Sequence, residues 1–528
     1  MQPSPWKNLA TLAALAALTL ATAGCGMHAP SMSVQAGVTT GGAQDIGLAR
    51  NQIAAGQIPR PETFVIEGLL SEHDIAIETP PCEQRFCMNT AVGWAPALDT
   101  RGDALFMVVG LSSNVDLRTF RRDPLNVSIV VDRSGSMGDG KMAAARQAVH
   151  RLIDTLGEGD SFSLVAFDDE VDVLVSQQPV GQDARALHEA VAELNSRGST
   201  DIESALAEGF SQVDFNRHPR QQNRVILITD ARPNTGSTET ESFLGLAKSY
   251  GERGIGLTVF GVGIDFGHDL VMEISRLPGG NYIYIENHTK LARIFDKDFD
   301  LLVTPVAWDF EMEIAPLEGF AITQAYGVPS WVAGAERGAV TVHIPTLFLS
   351  KNRGAMVMRL EPIGPQAQTW LSSERAFVAE TELSYRDDRT SRPHTFVGNV
   401  IAPHRHDDVV ATEVILESAV DPGLQMAVAL VNTGLGLQTA AMLAHAGRHY
   451  EALTVLDEVQ RLTTSEAFGA ERALLSNLRA LIEPHAVPPT FVEIPSAHET
   501  ERRTIVRPEE KGLVGERRTS QGGPGWIR

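Results

Sequence analysis

Between residues 125 and 303 the chain alternates apolar runs with amphipathic stretches, and few architectures tolerate that pattern. Leu125–Val131, Phe162–Phe167, Arg224–Thr229, Leu257–Val262 and Tyr282–Ile285 are apolar runs of strand length, and Val171–Val175 is a shorter one. Between them, Lys141–Leu156 places Met142, Ala145, Val149, Leu152, Ile153 and Leu156 at helical spacing. Further helices fit Ala184–Leu194, Glu203–Val213, Glu239–Arg253, a short Asp269–Arg276 and Leu291–Val303. Strands that are apolar throughout must be covered on both faces, and helices supplied by crossover connections do this. The pattern therefore predicts an α/β, Rossmann-like body with a mostly parallel central sheet.

At 528 residues the chain is too long for a single core. From Thr63 to about Thr119, Phe64–Ile66 and Ala104–Val109 are expected as strands. From Val306 to about Val400, Glu311–Ile314, Ala339–Ile344 and Ala355–Leu360 alternate between Gly and Pro breaks, which predicts an antiparallel β-sandwich. A helical region follows, with breaks expected at Gly434, Gly436 and Gly447. Within it Ala441–Tyr450 and Glu451–Leu462 form an expected antiparallel helix pair, reminiscent of one tetratricopeptide repeat. The chain thus divides into a signal (1–24), a flexible tether (25–60), a β-rich segment (61–122), the α/β domain (123–305), a β-sandwich segment (306–402), a C-terminal α-helical region (407–485) and a disordered tail (486–528).

The N-terminus carries Lys7, an apolar stretch from Leu9 to Ala23 and then Gly24-Cys25-Gly26, which describes an export signal. A Cys directly after small residues resembles a bacterial lipoprotein signal, in which Cys25 would become the lipid-bearing N-terminus. Thr22 stands where Leu is usual, and an ordinary secretory signal cut nearby is the alternative. The lipoprotein reading places the protein in the bacterial cell envelope, membrane-attached by its lipid. Gly26, where an Asp would hold an enteric lipoprotein at the inner membrane, points to the outer membrane. Export favours a disulfide between Cys82 and Cys87, with two free thiols as the alternative. A net charge of −22 argues against nucleic-acid binding, which needs a basic surface.

The first apolar strand of the α/β body ends in Asp132-Arg133-Ser134-Gly135-Ser136, at the strand end where open α/β sheets place their sites. Asp132 offers a carboxylate, Ser134 and Ser136 offer hydroxyl oxygens, and Gly135 lets the backbone turn between them. Hard cations favour such oxygen donors. Asp-x-Ser-x-Ser after a buried strand resembles the metal-ion-dependent adhesion site of the von Willebrand factor A domain family. Two further pieces follow in order: Gly198-Ser199-Thr200-Asp201 resembles the Thr-bearing loop, and Ile228-Thr229-Asp230-Ala231-Arg232-Pro233-Asn234 the Asp-bearing loop. The resemblance covers roughly residues 123 to 305, and Gly279-Gly280-Asn281-Tyr282 near its end is similar to the family's last strand. It implies that Ser134, Ser136 and Thr200 coordinate a divalent cation, Mg²⁺ first and Mn²⁺ or Ca²⁺ as alternatives. Asp132 and Asp230 would act mostly through waters. It implies a protein or matrix partner that presents Asp or Glu at the open coordination position. A degenerate domain that keeps the fold without the metal is the alternative.

Other polar groups admit plainer roles. Asp168-Asp169-Glu170 is a second cation site or a solvated hairpin turn. Asp201 supports the metal or caps a helix, and Asp139-Gly140 starts one. His404-x-His406 and His445-x-x-x-His449 have metal-like spacing and no third ligand. Trp308, Trp331 and Trp370 fit sandwich core or rim. No Gly-x-Ser-x-Gly elbow, Walker loop or His-Glu-x-x-His is present, so a non-enzymatic binding protein is expected. A periplasmic scaffold using the helical region and a metal-dependent hydrolase are the alternatives. The strand segments before 123 and after 305 should meet in one sandwich, with the α/β domain inserted as in integrin β subunits.

Overall fold

The computed structural model describes residues 35–487 except 44–45, 78–80, 99–101, 139, 182–183, 219, 231–237, 263–272, 275, 286–293, 296–297, 329–330, 334–337, 372–374, 404–420 and 464. The signal, Cys25, Asp139, His404, His406 and the tail beyond 487 lie outside the described residues, as does most of Asp269–Arg276.

The α/β body is a seven-stranded sheet. Its inner strand Leu125–Asp132 is flanked by Gln222–Thr229 and Ser161–Phe167, both parallel to it. Ile255–Val262 and Asn281–Ile285 extend the parallel run, and Val171–Pro179 closes the other edge antiparallel. Leu125–Asp132 is buried along its whole length, as its apolar composition requires of a strand covered on both faces. Helix Lys141–Thr155 covers one face through Met142, Ala145, Ala148, Val149, Leu152 and Ile153. Helix Ile202–Phe215 covers the other through Ala205, Leu206, Phe210 and Val213.

The flanking strands form one antiparallel sheet of ten strands. Asp103–Asp116, from before the α/β body, pairs with Gly354–Pro362, from after it, in register from Leu105↔Leu360 to Leu111↔Gly354. The two segments therefore meet, and the α/β domain is an insertion between them. Strand Pro393–Pro403 lies near Cys87–Pro96, so the sheet curls around a shared core of Leu105, Met107, Phe310, Met312 and Leu347. Cys82 and Cys87 form a disulfide, with a Cα–Cα distance of 5.7 Å, at the start of Cys87–Pro96. Trp308 is half-buried, opposite Thr346 and Arg386 of the two flanking strands; the side chains of Trp331 and Trp370 lie outside the described residues.

Four expectations need correction. Residues 35–60 are not a tether. Gln35–Thr39 is an inner strand of the ten-stranded sheet, between Asp103–Asp116 and Val340–Ser350. Gly42–Ala43 then pairs with Asn281–Tyr282 in the other sheet, and Gly47–Ala54 is a helix. Small residues with no apolar period look unstructured, yet five of them suffice for a strand when neighbours supply both ladders. Phe64–Ile66 is no strand: a 3-10 turn at Pro61–Thr63 leads into helix Ile66–Ser71. Phe64 and Ile66 are buried in cores shared with the C-terminal helices, and Val65 in a core of the α/β body.

Those helices are Pro422–His445, His449–Leu462 and Gly469–Ile482. The turn of the expected pair falls at Ala446–Arg448, inside the stretch assigned to its first helix. Gly434 and Gly436 do not break Pro422–His445. A Cβ at Gly434 would lie 2.6 Å from Ile66 Cγ1, and one at Gly436 2.1 Å from Val459 Cγ2. These glycines serve close helix packing, and only Gly447 interrupts. Pro422–His445 is long and apolar enough to span a bilayer, but 67% of its apolar window is buried inside the protein.

The inserted domain is fastened at its base, remote from Asp132. Asp160 Oδ1 and Oδ2 accept from Arg122 Nη1 and Nη2 at 2.8 and 2.7 Å, and also from the N–H groups of Leu125 and Gly157. Arg122 Nε donates to Asp300 at 2.8 Å, just before the outgoing strand Pro305–Pro316. The incoming and outgoing chains are thus stapled together. Burial pushes the Asp160 carboxyl up, but Arg122 and the two N–H groups more than reverse this and hold it below the usual range. A carboxylate with a depressed folded pKa adds stability above its unfolded pKa, and loses it as pH falls through the folded value. Asp160→Ala should cost about 3–5 kcal/mol in urea unfolding at pH 7. The gap to wild type should narrow as the pH falls below about 4. An undiminished gap at low pH would contradict the ion-pair assignment.

Candidate metal site

Asp132 ends the inner strand Leu125–Asp132 and is fully buried. Its Oδ1 accepts the Ser134 N–H at 2.8 Å and its Oδ2 accepts the Thr229 hydroxyl at 2.5 Å. The first bond folds the motif loop back on the strand; the second ties it to the neighbouring strand. Ser134 Oγ and Ser136 Oγ share a hydrogen bond at 3.0 Å. Ser136 Oγ donates to Asp230 Oδ1 at 2.8 Å. Asp132, Ser134, Ser136 and Asp230 therefore form one connected cluster, although Asp230 is 94 residues from Ser136 in sequence.

Gly135 contributes differently from expectation. The Gly135–Met137 turn is 3-10, and Gly135 is not among the glycines with positive φ. The left-handed glycine is Gly198, at φ +67°, in the Thr200 loop. Gly135 N donates to Gly198 O at 3.1 Å, which lays that loop against the motif. Thr200 is exposed on it. Asp201 caps helix Ile202–Phe215 by accepting the Ser204 N–H at 3.0 Å.

Burial pushes the Asp132 carboxyl above the usual range; bonds from Thr229 and Ser134 oppose this, and the charge of nearby Asp230 adds to it. Burial is the larger of the two effects that raise it. Lys141, at the start of its helix, pairs with the second carboxylate: Nζ donates to Asp230 Oδ2 at 2.5 Å and to Ser136 O at 3.2 Å. Thr229 and Lys141 were not singled out from the sequence. A polar residue ending an apolar strand beside Asp230 was the available signal for Thr229.

The donors fit a hard divalent cation. Adjacent oxygens on an octahedron at 2.0–2.1 Å from a small cation are about 3 Å apart, which is the separation of the two serine oxygens. Among the described residues, no three His, Cys, Asp or Glu side chains form a metal cluster of their own. His445 Nε2 instead lies 3.0 Å from the Pro59 carbonyl oxygen, and His449 packs beside His485.

Residues 126–297 match the von Willebrand factor type A domain family. The inserted body has the von Willebrand factor A fold. The chain is similar to an uncharacterized protein of Synechocystis, 28% identical over 206 residues, covering 39% of this chain and 48% of that one. It is also 23% identical over 223 residues to inter-alpha-trypsin inhibitor heavy chain H2 of Sus scrofa, covering 40% and 23%. The chain spans about half or less of the length of these relatives. A von Willebrand factor type A structure from Catenulispora acidiphila superimposes with a TM-score of 0.50 at 17% identity, over 77% of this chain and 98% of that one. The likeness of fold therefore extends well beyond the A domain.

Thr229 offers a direct check on the cluster. Thr229→Val keeps the shape and removes the donor to Asp132 Oδ2. Leaving a buried carboxylate oxygen without that donor should cost about 1–3 kcal/mol. Urea unfolding in the presence of a chelator measures this without any contribution from metal. A neutral result would mean that Asp132 is held by other contacts.

Proposed function

We propose that this protein binds a protein partner through a divalent cation held at the Asp132 site of its A domain. The supporting observation is the connected cluster of Asp132, Ser134, Ser136 and Asp230, with two hydroxyl oxygens at cis-ligand spacing. Domains of this family generally mediate protein–protein interaction. Ser134, Ser136 and Thr200 would hold the ion, with Asp132 and Asp230 acting through waters. Neutral hydroxyls leave a bound cation strongly positive, so the ion would supply an electrophilic point for an Asp or Glu carboxylate of the partner. Mg²⁺ suits the donor set, and Mn²⁺ or Ca²⁺ would bind the same oxygens.

The reading also includes a lipid at Cys25, which would hold the folded body at the cell-envelope membrane, the outer one by the residue after the Cys. The sequence around Cys25 supports this part. The scaffold alternative is less favoured, because the C-terminal helices pack on the ten-stranded sheet and on Gly47–Ala54 and Ile66–Ser71.

The test is a pull-down from envelope extract with and without Mg²⁺, using Asp132→Ala as control. Partner recovery should fall at least about tenfold with chelator or with the variant, the loss of 1.4 kcal/mol or more. Equal recovery in all arms would refute metal-dependent binding.

A further inference from the structure

The carboxylate at the tip of a hairpin organises the loops around the proposed ion. Asp168 follows strand Ser161–Phe167 and is buried, whereas its neighbours Asp169 and Glu170 are exposed. Asp168 Oδ2 accepts from Arg133 Nε at 2.9 Å and from Arg197 Nε at 2.7 Å. Arg133 lies between Asp132 and Ser134; Arg197 lies three residues before Thr200. One oxygen thus joins the motif loop to the Thr200 loop. Asp172 reinforces the junction, taking Arg133 Nη2 as well as Arg197 Nη2 at 3.2 Å. The expected choice between a cation site and a solvated turn therefore has a third outcome, a hairpin whose first carboxylate is consumed by two guanidinium groups.

The backbone completes the clamp. Arg197 N donates to Arg133 O at 2.5 Å, and Asp201 N to Asp168 O at 2.8 Å. Ser199 N donates to Asp169 Oδ1 at 3.1 Å. Thr200 is therefore flanked on both sides by residues bonded to the hairpin. Gly198 permits the approach: a Cβ there would lie 2.9 Å from Asp168 Cβ and 2.1 Å from Asp169 Oδ1.

Resting on the metal-binding reading above, we infer that Asp168 is a positioning residue for the cation site, acting through Arg133 and Arg197 to present the Thr200 loop to Ser134 and Ser136. The loop joining helices Arg185–Ala192 and Ile202–Phe215 has no regular structure to fix it. Without the clamp, a bound ion would have to order that loop itself. Groups that orient metal ligands in this way typically change affinity about 10–100-fold.

The test is calorimetric titration of the full chain with Mg²⁺ and Mn²⁺, comparing wild type, Asp132→Ala, Asp168→Asn, Arg197→Gln and the last two combined. Asp168→Asn should bind about 10–100-fold more weakly. The double variant should bind no more weakly than Asp168→Asn alone, since both changes break one connection. Affinity of Asp168→Asn within twofold of wild type would overturn the inference, as would strictly additive losses. If Asp168→Asn does not fold, Arg197→Gln decides, because its side chain is 55% exposed and its loss leaves no core defect. Weaker binding of at least about fivefold would then support the clamp, and unchanged binding would overturn it. If wild type and Asp132→Ala alike bind no metal, the functional reading itself fails, an outcome distinct from failure of the clamp alone.

Discussion

The strand Asp103–Asp116 has no solvent face over most of its length, and the rest of the molecule is arranged to cover it. Leu105, Met107, Val109 and Leu111 point into the core of the curled sheet. Phe106 and Val108 point the other way, into a core completed by Leu424, Val428 and Val431 of helix Pro422–His445. Its neighbours come from three separate parts of the chain: Gln35–Thr39, Cys87–Pro96 and Gly354–Pro362. A strand buried on both faces cannot be stable until all these parts arrive. N-terminal, C-terminal and helical segments are therefore one cooperative base, and the A domain is the piece that this base carries.

This explains what could be read from the sequence. The parallel sheet declared itself because each strand is an unbroken apolar run and each helix keeps its period. The three site loops were legible because each follows such a strand or precedes such a helix. The pieces that escaped are those whose conformation is set from far away. Gln35–Thr39 carries no pattern of its own and is a strand only because Ser112 and Phe348–Ser350 flank it. Gly434 and Gly436 looked like breaks because their purpose lies in Ile66 and Val459. Asp168 looked solvated because both arginines that bury it are about 30 residues distant in sequence.

The same separation appears in the electrostatics. At the base, Asp160 is matched by Arg122 and by backbone donors, so its charge is satisfied within the protein. Arg224 is buried there too; its guanidinium donates to Thr258 and the Gly279 carbonyl, lies over the Phe348 ring and is pushed down to about 9 by burial. At the opposite end, the donors to Asp132 among the described residues are a hydroxyl and an amide, and burial and Asp230 disfavour its charge. Lys141 neutralises Asp230 and leaves Asp132 unanswered. The buried carboxylate at the base thus faces a guanidinium, whereas Asp132 faces neutral donors.

The mounting bears on how such a site would work. The strand from Leu125 to Asp132 holds the site roughly 23 Å above the staple. Below it, Gly279 N donates to Thr346 Oγ1 at 2.8 Å, Leu349 N donates to Thr304 O at 3.0 Å, and Lys351 pairs with Asp298. Gly42–Ala43 adds a third chain crossing by joining the A domain's own sheet. An insertion held only by its two linkers would swing. Three crossings and several polar bonds oppose rotation, because any hinge motion must break several of them together. A partner captured at the Asp132 face then meets a platform already oriented by the base, and less of the binding free energy is spent on ordering it. The clamp around Asp168 applies the same logic one level down, fixing the loops before an ion arrives, as the base fixes the domain before a partner does.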